Sequence, residues 1–160
     1  MDAGRGKRGL VDALNMLELV AARSFYAGAD FLLAGPLSRL LKNLKPGGDL
    51  GDFIILASPT SSGRLAEALS IRAVEEEWPR EWRDAVPRGL YKRLVLEGFT
   101  LSILVDPVLR LDDGLVEYSV GELARRSPFV QVSKYIVRLA PLDFELALYE
   151  ALEAYRSGSG

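Results

Sequence analysis

The stretch FLLAGPLSRLLKNLKPGGDLGDFIIL, residues 31–56, reads as strand, glycine turn, short helix, glycine-rich turn with two aspartates, and a second apolar strand. Phe31, Leu32, Leu33 and Ala34 form an apolar run ended by Gly35-Pro36. Glycine permits a tight turn there, and a proline at the first helical position lacks only an N–H that would be unpaired anyway. Leu37, Leu40, Leu41 and Leu44 then fall at helical spacing, with Arg39, Lys42 and Lys45 on or beside the wet face. The spacing predicts a short helix, stopped by Pro46-Gly47-Gly48, whose positive N-terminal end is suited to an anion. Asp49 and Asp52 sit at the mouth of the strand 53–56, where carboxylates can bind a hard cation such as Mg²⁺ through oxygen. Asp beside Gly is also ordinary turn chemistry, and Arg39, Lys42 and Lys45 also fit a solvated helix face.

Working outward, Leu10, Leu14, Leu17 and Val20 or Ala21 line one face of residues 10–26, which predicts an amphipathic helix ending near Gly28 and packing on the first strand. After the second strand, residues 58–63 are turn chemistry, and Ser61 or Ser62 can cap a helix carrying Leu65, Ala66, Leu69 and Ile71. The charged segment 75–83 holds Trp78 and Trp82. It is expected at the surface with its indoles over the core edge, the alternative being a base-stacking platform.

From about Pro87, the positions of Leu90, Tyr91, Leu94 and Val95 predict a helix ending at Gly98, with Arg88, Lys92 and Arg93 outward. Residues 99–106 follow as a buried strand that delivers Asp106 at its end, before Pro107. A hairpin turn at 111–115 and a returning strand at 116–120 come next, then short strands at 130–132 and 135–137. Leu142, Leu146, Tyr149 and Leu152 place a closing helix over 141–155. Strands alternating with helices in one chain predict an α/β (α+β) fold, a small mixed β-sheet with helices packed on it.

The chain has 160 residues, 49% hydrophobic and 26% charged, with a net charge of −2. These values describe one globular domain, expected over residues 10–156, between a flexible basic tail at 1–9 and a disordered tail at 157–160. The charge offers no global attraction to nucleic acid. No apolar run approaches the roughly 18 residues of a membrane span, so no membrane partner is expected and a cytoplasmic location is the default. With no Cys and no His, a thiol nucleophile, a Ser-His-Asp triad and an ordinary zinc site are excluded, leaving carboxylates, Lys, Arg, Tyr, Ser and Thr for any chemistry. Asn occurs only at positions 15 and 43 and Gln only at 131, a depletion in the direction of a thermophilic source.

Ala34-Gly35-Pro36, twelve further residues and then Asp49-Leu50 resemble the signature of the DNA polymerase β-like nucleotidyltransferase superfamily, especially its small stand-alone members. That signature is a hydrophobic residue with Gly-Gly or Gly-Ser, a helix, and two acids alternating with hydrophobic residues. The resemblance spans roughly residues 10–108. It implies a nucleotidyltransferase-like fold, a nucleoside triphosphate held by Gly35, Ser38, Arg39 and Lys42, and Mg²⁺ held by Asp49, Asp52 and Asp106. Asp52 and Asp106 would be the catalytic acids, Asp106 resembling the family's third acid on a later strand. Two Mg²⁺ about 4 Å apart can clamp the attacking and leaving oxygens of a phosphoryl transfer without His or Cys.

Asp49 and Asp52 are three residues apart, so they would face oppositely in a regular strand unless Gly51 absorbs a bulge. Pro36 stands where the family has a small Gly or Ser, removing an N–H donor. The resemblance implies Mg²⁺-dependent transfer of a nucleoside monophosphate from NTP to a hydroxyl acceptor. The alternative is a non-catalytic binding protein of the same fold or a toxin-antitoxin-type partner subunit, with a protein or RNA partner and a homo-oligomer both open. A metal-dependent nuclease ranks last, because no Glu-x-Lys follows on a neighbouring strand.

Overall fold

Leu10–Ala27 forms helix α1, ended by Gly28 in the left-handed region, whose N–H donates to the carbonyls of Phe25 and Ser24. The computed structural model describes residues 9–158, so the expected tails at residues 1–8 and 159–160 lie outside the described residues. Strand β1 (Leu32–Ala34), helix α2 (Pro36–Leu41) with Pro36 in its first turn, and strand β2 (Asp52–Ala57) follow in the expected order. Helix α2 closes at Lys42, before Pro46: Asn43 turns to a φ of 65° and Leu44 N–H bonds back to the Arg39 carbonyl.

Helix α3 (Ser62–Leu69) leaves Ile71 outside and exposed. Then come β3 (Val74–Glu75), α4 (Arg80–Ala85), β4 (Arg88–Leu96), β5 (Phe99–Leu111), β6 (Gly114–Glu117), α5 (Val120–Arg125), β7 (Phe129–Val132), β8 (Tyr135–Leu139) and α6 (Leu142–Gly158). The expected segment at 75–83 is thus a short strand and a helix. Trp82 is buried and Trp78 packs beside it with ring centroids 5.5 Å apart, so the indoles cover the core.

The main sheet path runs β3-β4-β5-β2-β1-β8-β7, with β6 added on β5. The pairs β2/β5 and β1/β8 are parallel and the others antiparallel, giving the expected mixed α/β sheet. Alternation along the central strands divides the core into two layers. Leu33, Phe53, Ile55, Leu101 and Ile103 meet α1 and α3 on one face. Leu32, Ala34, Ile54, Leu56 and Leu104 meet α4, α5 and α6 on the other.

Three expectations are corrected. Residues 88–96 are strand β4, not a helix, because they pair antiparallel with β5 through the two-residue turn Glu97-Gly98. The φ angles there are 51° and 83°, the handedness that closes a tight hairpin. Gly98 therefore ends a strand, and the buried pair Leu94 and Leu96 follows period two. Second, β5 continues past Asp106 to Leu111. Asp106 has a φ of 41° opposite the irregular register of β4, where Gly89 approaches so closely that a Cβ would lie 2.6 Å from Pro107 Cα. Third, residues 120–125 form α5, not the end of a strand: Ser119 Oγ accepts from Glu122 N–H at 3.3 Å. Helix α6 lies where expected, but its buried stripe is Phe144, Glu145, Leu148, Ala151 and Leu152, whereas Leu142, Leu146 and Tyr149 are exposed.

Candidate functional site

Asp52 opens β2, and in a strand the side chains at i and i+2 share a face. Its same-face neighbour is therefore Ile54, not Asp49. Ile54 pairs across parallel strands with Ser102 of β5, just as Asp52 pairs with Thr100. Asp52, Ile54 and Ser102 line a cavity of about 310 Å³ between β2, β5, α2, α4 and α6. Gly35, Arg39, Asp49, Glu81, Trp82, Arg93, Glu145 and Tyr149 complete much of its wall. The glycine turn and both expected aspartates of residues 49–52 thus reach one concavity.

Asp49 sits in the turn before β2, where its Oδ1 accepts from Gly51 N–H at 2.8 Å, an Asx-type turn. Asp106 lies elsewhere. Ala57, at the far end of β2, pairs with Val105, and Asp106 is the next residue of β5. Six residues of strand separate Thr100 from Asp106, on the order of 20 Å at roughly 3.3 Å per residue. No metal ion can be shared across that span. The Asp106 Oδ1 instead accepts Val120 N–H at 2.8 Å, at the start of α5.

Gly35 has a φ of 94°, a conformation that favours glycine, and a Cβ there would press on Ile54 Cδ1 at 3.2 Å. Its N–H points to Glu145 Oε1 at 2.7 Å. Ser38 Oγ donates to Glu145 Oε2 at 2.9 Å, and Lys42 Nζ pairs with the same carboxylate oxygen. Glu145 is only 3% exposed. Three of the four residues expected to hold phosphate, Gly35, Ser38 and Lys42, therefore converge on one buried carboxylate from α6.

Arg39, the fourth, turns away to lie 5.3 Å over the Tyr149 ring, with its Nε buried and without a hydrogen-bond partner. Across the cavity, Arg93 donates to Glu76 Oε1 at 2.9 Å and to Ser102 Oγ at 3.1 Å, while its guanidinium lies 5.8 Å and 6.0 Å over the rings of Trp78 and Trp82. At the mouth, Arg156 faces Glu81 at 3.6 Å. Cations and acids share the lining with the apolar side chains of Ile54, Leu148 and Leu152.

These residues do not fit a pair of Mg²⁺ ions. Ile54 offers no oxygen, the Ser102 hydroxyl is engaged by Arg93, and one Asp49 oxygen is engaged by Gly51. Among the described residues, no group of three acidic, His or Cys side chains is placed to hold a metal. Ile54, Ser102 and Glu145 were missed in the sequence reading. The i+2 spacing from Asp52 could have exposed Ile54, but Ser102 and Glu145 carried no local signal. No helix among the described residues is long and apolar enough to cross a membrane.

No protein-family profile matches the sequence, and no curated protein matches it. Solved structures do. A candidate nucleotidyltransferase of Thermotoga maritima superimposes with a TM-score of 0.67 at 17% identity, covering 96% of this chain and 92% of that one. ANT(2″)-Ia in complex with adenylyl-2″-tobramycin gives 0.51 at 10% identity, covering 92% and 98%. A solution structure of the antibiotic-resistance factor ANT(2″)-Ia gives 0.52 at 10% identity, covering 94% and 85%. The chain thus has a nucleotidyltransferase-like fold.

Proposed function

We propose that this protein is a non-catalytic member of the nucleotidyltransferase fold, used for binding as a partner subunit, of the DNA polymerase β-like kind that its sequence resembles. One observation carries the reading: the position sharing a strand face with Asp52 is Ile54, and the residue across from Ile54 is Ser102, so of these strand positions Asp52 alone brings a carboxylate, while Asp49 joins it from a turn with one oxygen already engaged, where a two-metal centre needs several acids. The Glu145 carboxylate on Gly35, Ser38 and Lys42 supports it further, because a second anion there would meet like charge.

A surface away from the cavity supports the binding part of the reading. Phe25, Tyr26 and Ile136 are exposed around one concavity beside β8, and the Phe25 ring contacts those of Tyr26 and Tyr135 at 5.3 Å and 5.8 Å. Clustered exposed aromatic rings mark interaction surfaces more often than isolated ones do. The reading favours a protein partner, because the net charge of −2 gives RNA no overall attraction.

The test incubates the protein with Mg²⁺ and each labelled nucleoside triphosphate, with RNA, protein and small-molecule hydroxyl acceptors. The expected result is no transfer of label and no metal-dependent nucleotide stabilisation. Mg²⁺-dependent labelling abolished by Asp52→Asn would overturn the reading.

A further inference from the structure

The sheet path ends at β7, and among the described residues no strand lies beyond it. Pairing with β8 determines which of its backbone groups are already used. Leu139 N–H donates to the Pro128 carbonyl at 2.7 Å, and the register runs from Phe129 opposite Arg138 to Val132 opposite Tyr135. In an antiparallel ladder, residues bonded to the neighbouring strand alternate with residues whose groups point the other way. Val130 and Val132 therefore bond to β8, as Pro128 does, and the N–H and C=O groups of Phe129 and Gln131 face the open edge. Beyond Val132 the chain turns back at Ser133, with a φ of 56°, into β8.

Open edges are commonly guarded by charged side chains, proline or a bulge. The other short strands bordering the sheet carry acids: β3 contains Glu75 and runs into Glu76 and Glu77, and β6 ends at Glu117 after Asp112 and Asp113. A second copy approaching either would meet like charge. Strand β7 is Phe-Val-Gln-Val, with no charge, no proline and an unbroken register. Val130 and Val132 pack half-buried on the layer under α1. Phe129, 63% exposed, shares the opposite face with Gln131, Arg138 and Ile136, itself 67% exposed. Helices α4, α5 and α6 cover that face over the central strands and leave it bare here.

From this geometry we infer that the protein pairs with a second copy of itself, β7 against β7, antiparallel about a two-fold axis at Val130. That axis sets Phe129 of each copy opposite Gln131 of the other, and every outward N–H and C=O of these residues then has a partner. Val130 meets its own copy as the close, non-bonded pair between them. On the bare face, the Phe129 ring of one copy lies across from Gln131 of the other and next in the row to its Ile136. The contact is isologous and uses the β7 edge of both chains, so assembly stops at a dimer. The inference rests on the binding reading above only in taking this end of the sheet as an interaction surface; the cavity has no part in it.

The experiment is sedimentation velocity on the full chain, without metal or nucleotide, from micromolar to millimolar concentration. Wild type is expected to pass from monomer to a species of twice the mass. Gln131→Pro removes one outward N–H and no bond to β8, an orientation in which an edge strand tolerates proline. It is expected to stay monomeric where wild type is mostly dimer, with unchanged circular dichroism. Because the chain has no cysteine, an introduced one reports proximity. Val130→Cys is expected to give a disulfide-linked dimer on mild oxidation, since a non-bonded antiparallel pair has the Cα separation a disulfide needs. Ile136→Cys, on the more exposed position, is expected to give none. A wild-type chain that is monomeric throughout overturns the inference, as does a dimer that folded Gln131→Pro leaves intact, or cross-linking as fast through Ile136→Cys as through Val130→Cys. If Gln131→Pro does not fold, the two cysteine variants decide. A monomer would leave the labelling result untouched, and Mg²⁺-dependent labelling would leave the dimer standing, so the two failures are separate.

Discussion

Ile54 and Ser102 stand directly opposite each other on the parallel strands β2 and β5, two residues beyond the pair of Asp52 and Thr100. Ile54 is 7% exposed and contributes to the core layer under α6. Replacing it with Asp puts a second carboxylate on the face of Asp52, in the lining of the cavity. Ile54→Asp is expected to lose about 2–4 kcal/mol without metal, from the lost apolar volume and an uncompensated charge. Mg²⁺ or Mn²⁺ should recover part of that loss in the variant and leave wild type unchanged, as read by urea unfolding with and without metal.

Asp106 is expected to act through Val120 and not through metal. Asp106→Ala removes the acceptor of the Val120 N–H and should cost about 1–2 kcal/mol, the usual range for a lost helix-start acceptor. Asp106→Asn keeps an oxygen at the same place and tolerates the φ of 41°, so it should lie within about 0.5 kcal/mol of wild type. Equal losses for both variants in denaturant unfolding would contradict this role.

Lys42→Met keeps much of the side-chain volume and leaves the Glu145 carboxylate buried with only neutral donors. A loss of about 3–5 kcal/mol is expected, as for a broken buried pair. The combined variant Lys42→Met with Glu145→Gln should be more stable than Lys42→Met alone, because no uncompensated charge remains. Thermal unfolding of the two single variants and the double variant checks the sign of that coupling.

Arg126 ties α5 to α6 through Asp143 at 2.9 Å, and also pairs with Glu122 in its own helix turn. The hydrogen bond from Arg126 lowers the Asp143 carboxyl below its ordinary 3.8. A carboxyl lowered on folding contributes stability above its unfolded value, and that contribution disappears as pH falls through the lower folded value. Asp143→Asn should therefore reduce stability at pH 7 and converge with wild type in acid below both values. Both partners are exposed, so the difference at pH 7 should be below about 1 kcal/mol and shrink in high salt. Urea midpoints at the two pH values, at low and high ionic strength, give the comparison.

The order from Leu32 through Ala57 was legible because each step depends on neighbours in the chain: an apolar run, a Gly-Pro turn, a leucine period and a glycine-rich stop. The same local logic located α1, β7, β8 and α6. It misassigned β4, because residues 88–96 carry apolar side chains compatible with two periods, and pairing with β5 selected the extended one. It also misplaced the buried face of α6, since counting apolar side chains passes over a buried Glu145.

What the sequence determined by itself is the set of local segments and the convergence of Gly35, Asp49 and Asp52 in one region, since turns and short periods are encoded within a few residues. Tertiary structure alone decided which partners those residues meet. The parallel register of β2 and β5 carries Asp106 to the opposite end of the sheet and leaves Ile54 beside Ser102. Packing of α6 on the sheet brings Glu145 to the N–H of Gly35, 110 residues earlier in the chain. Both depend on strand pairing and on helix burial between distant segments, and residue spacing along the chain holds no record of either.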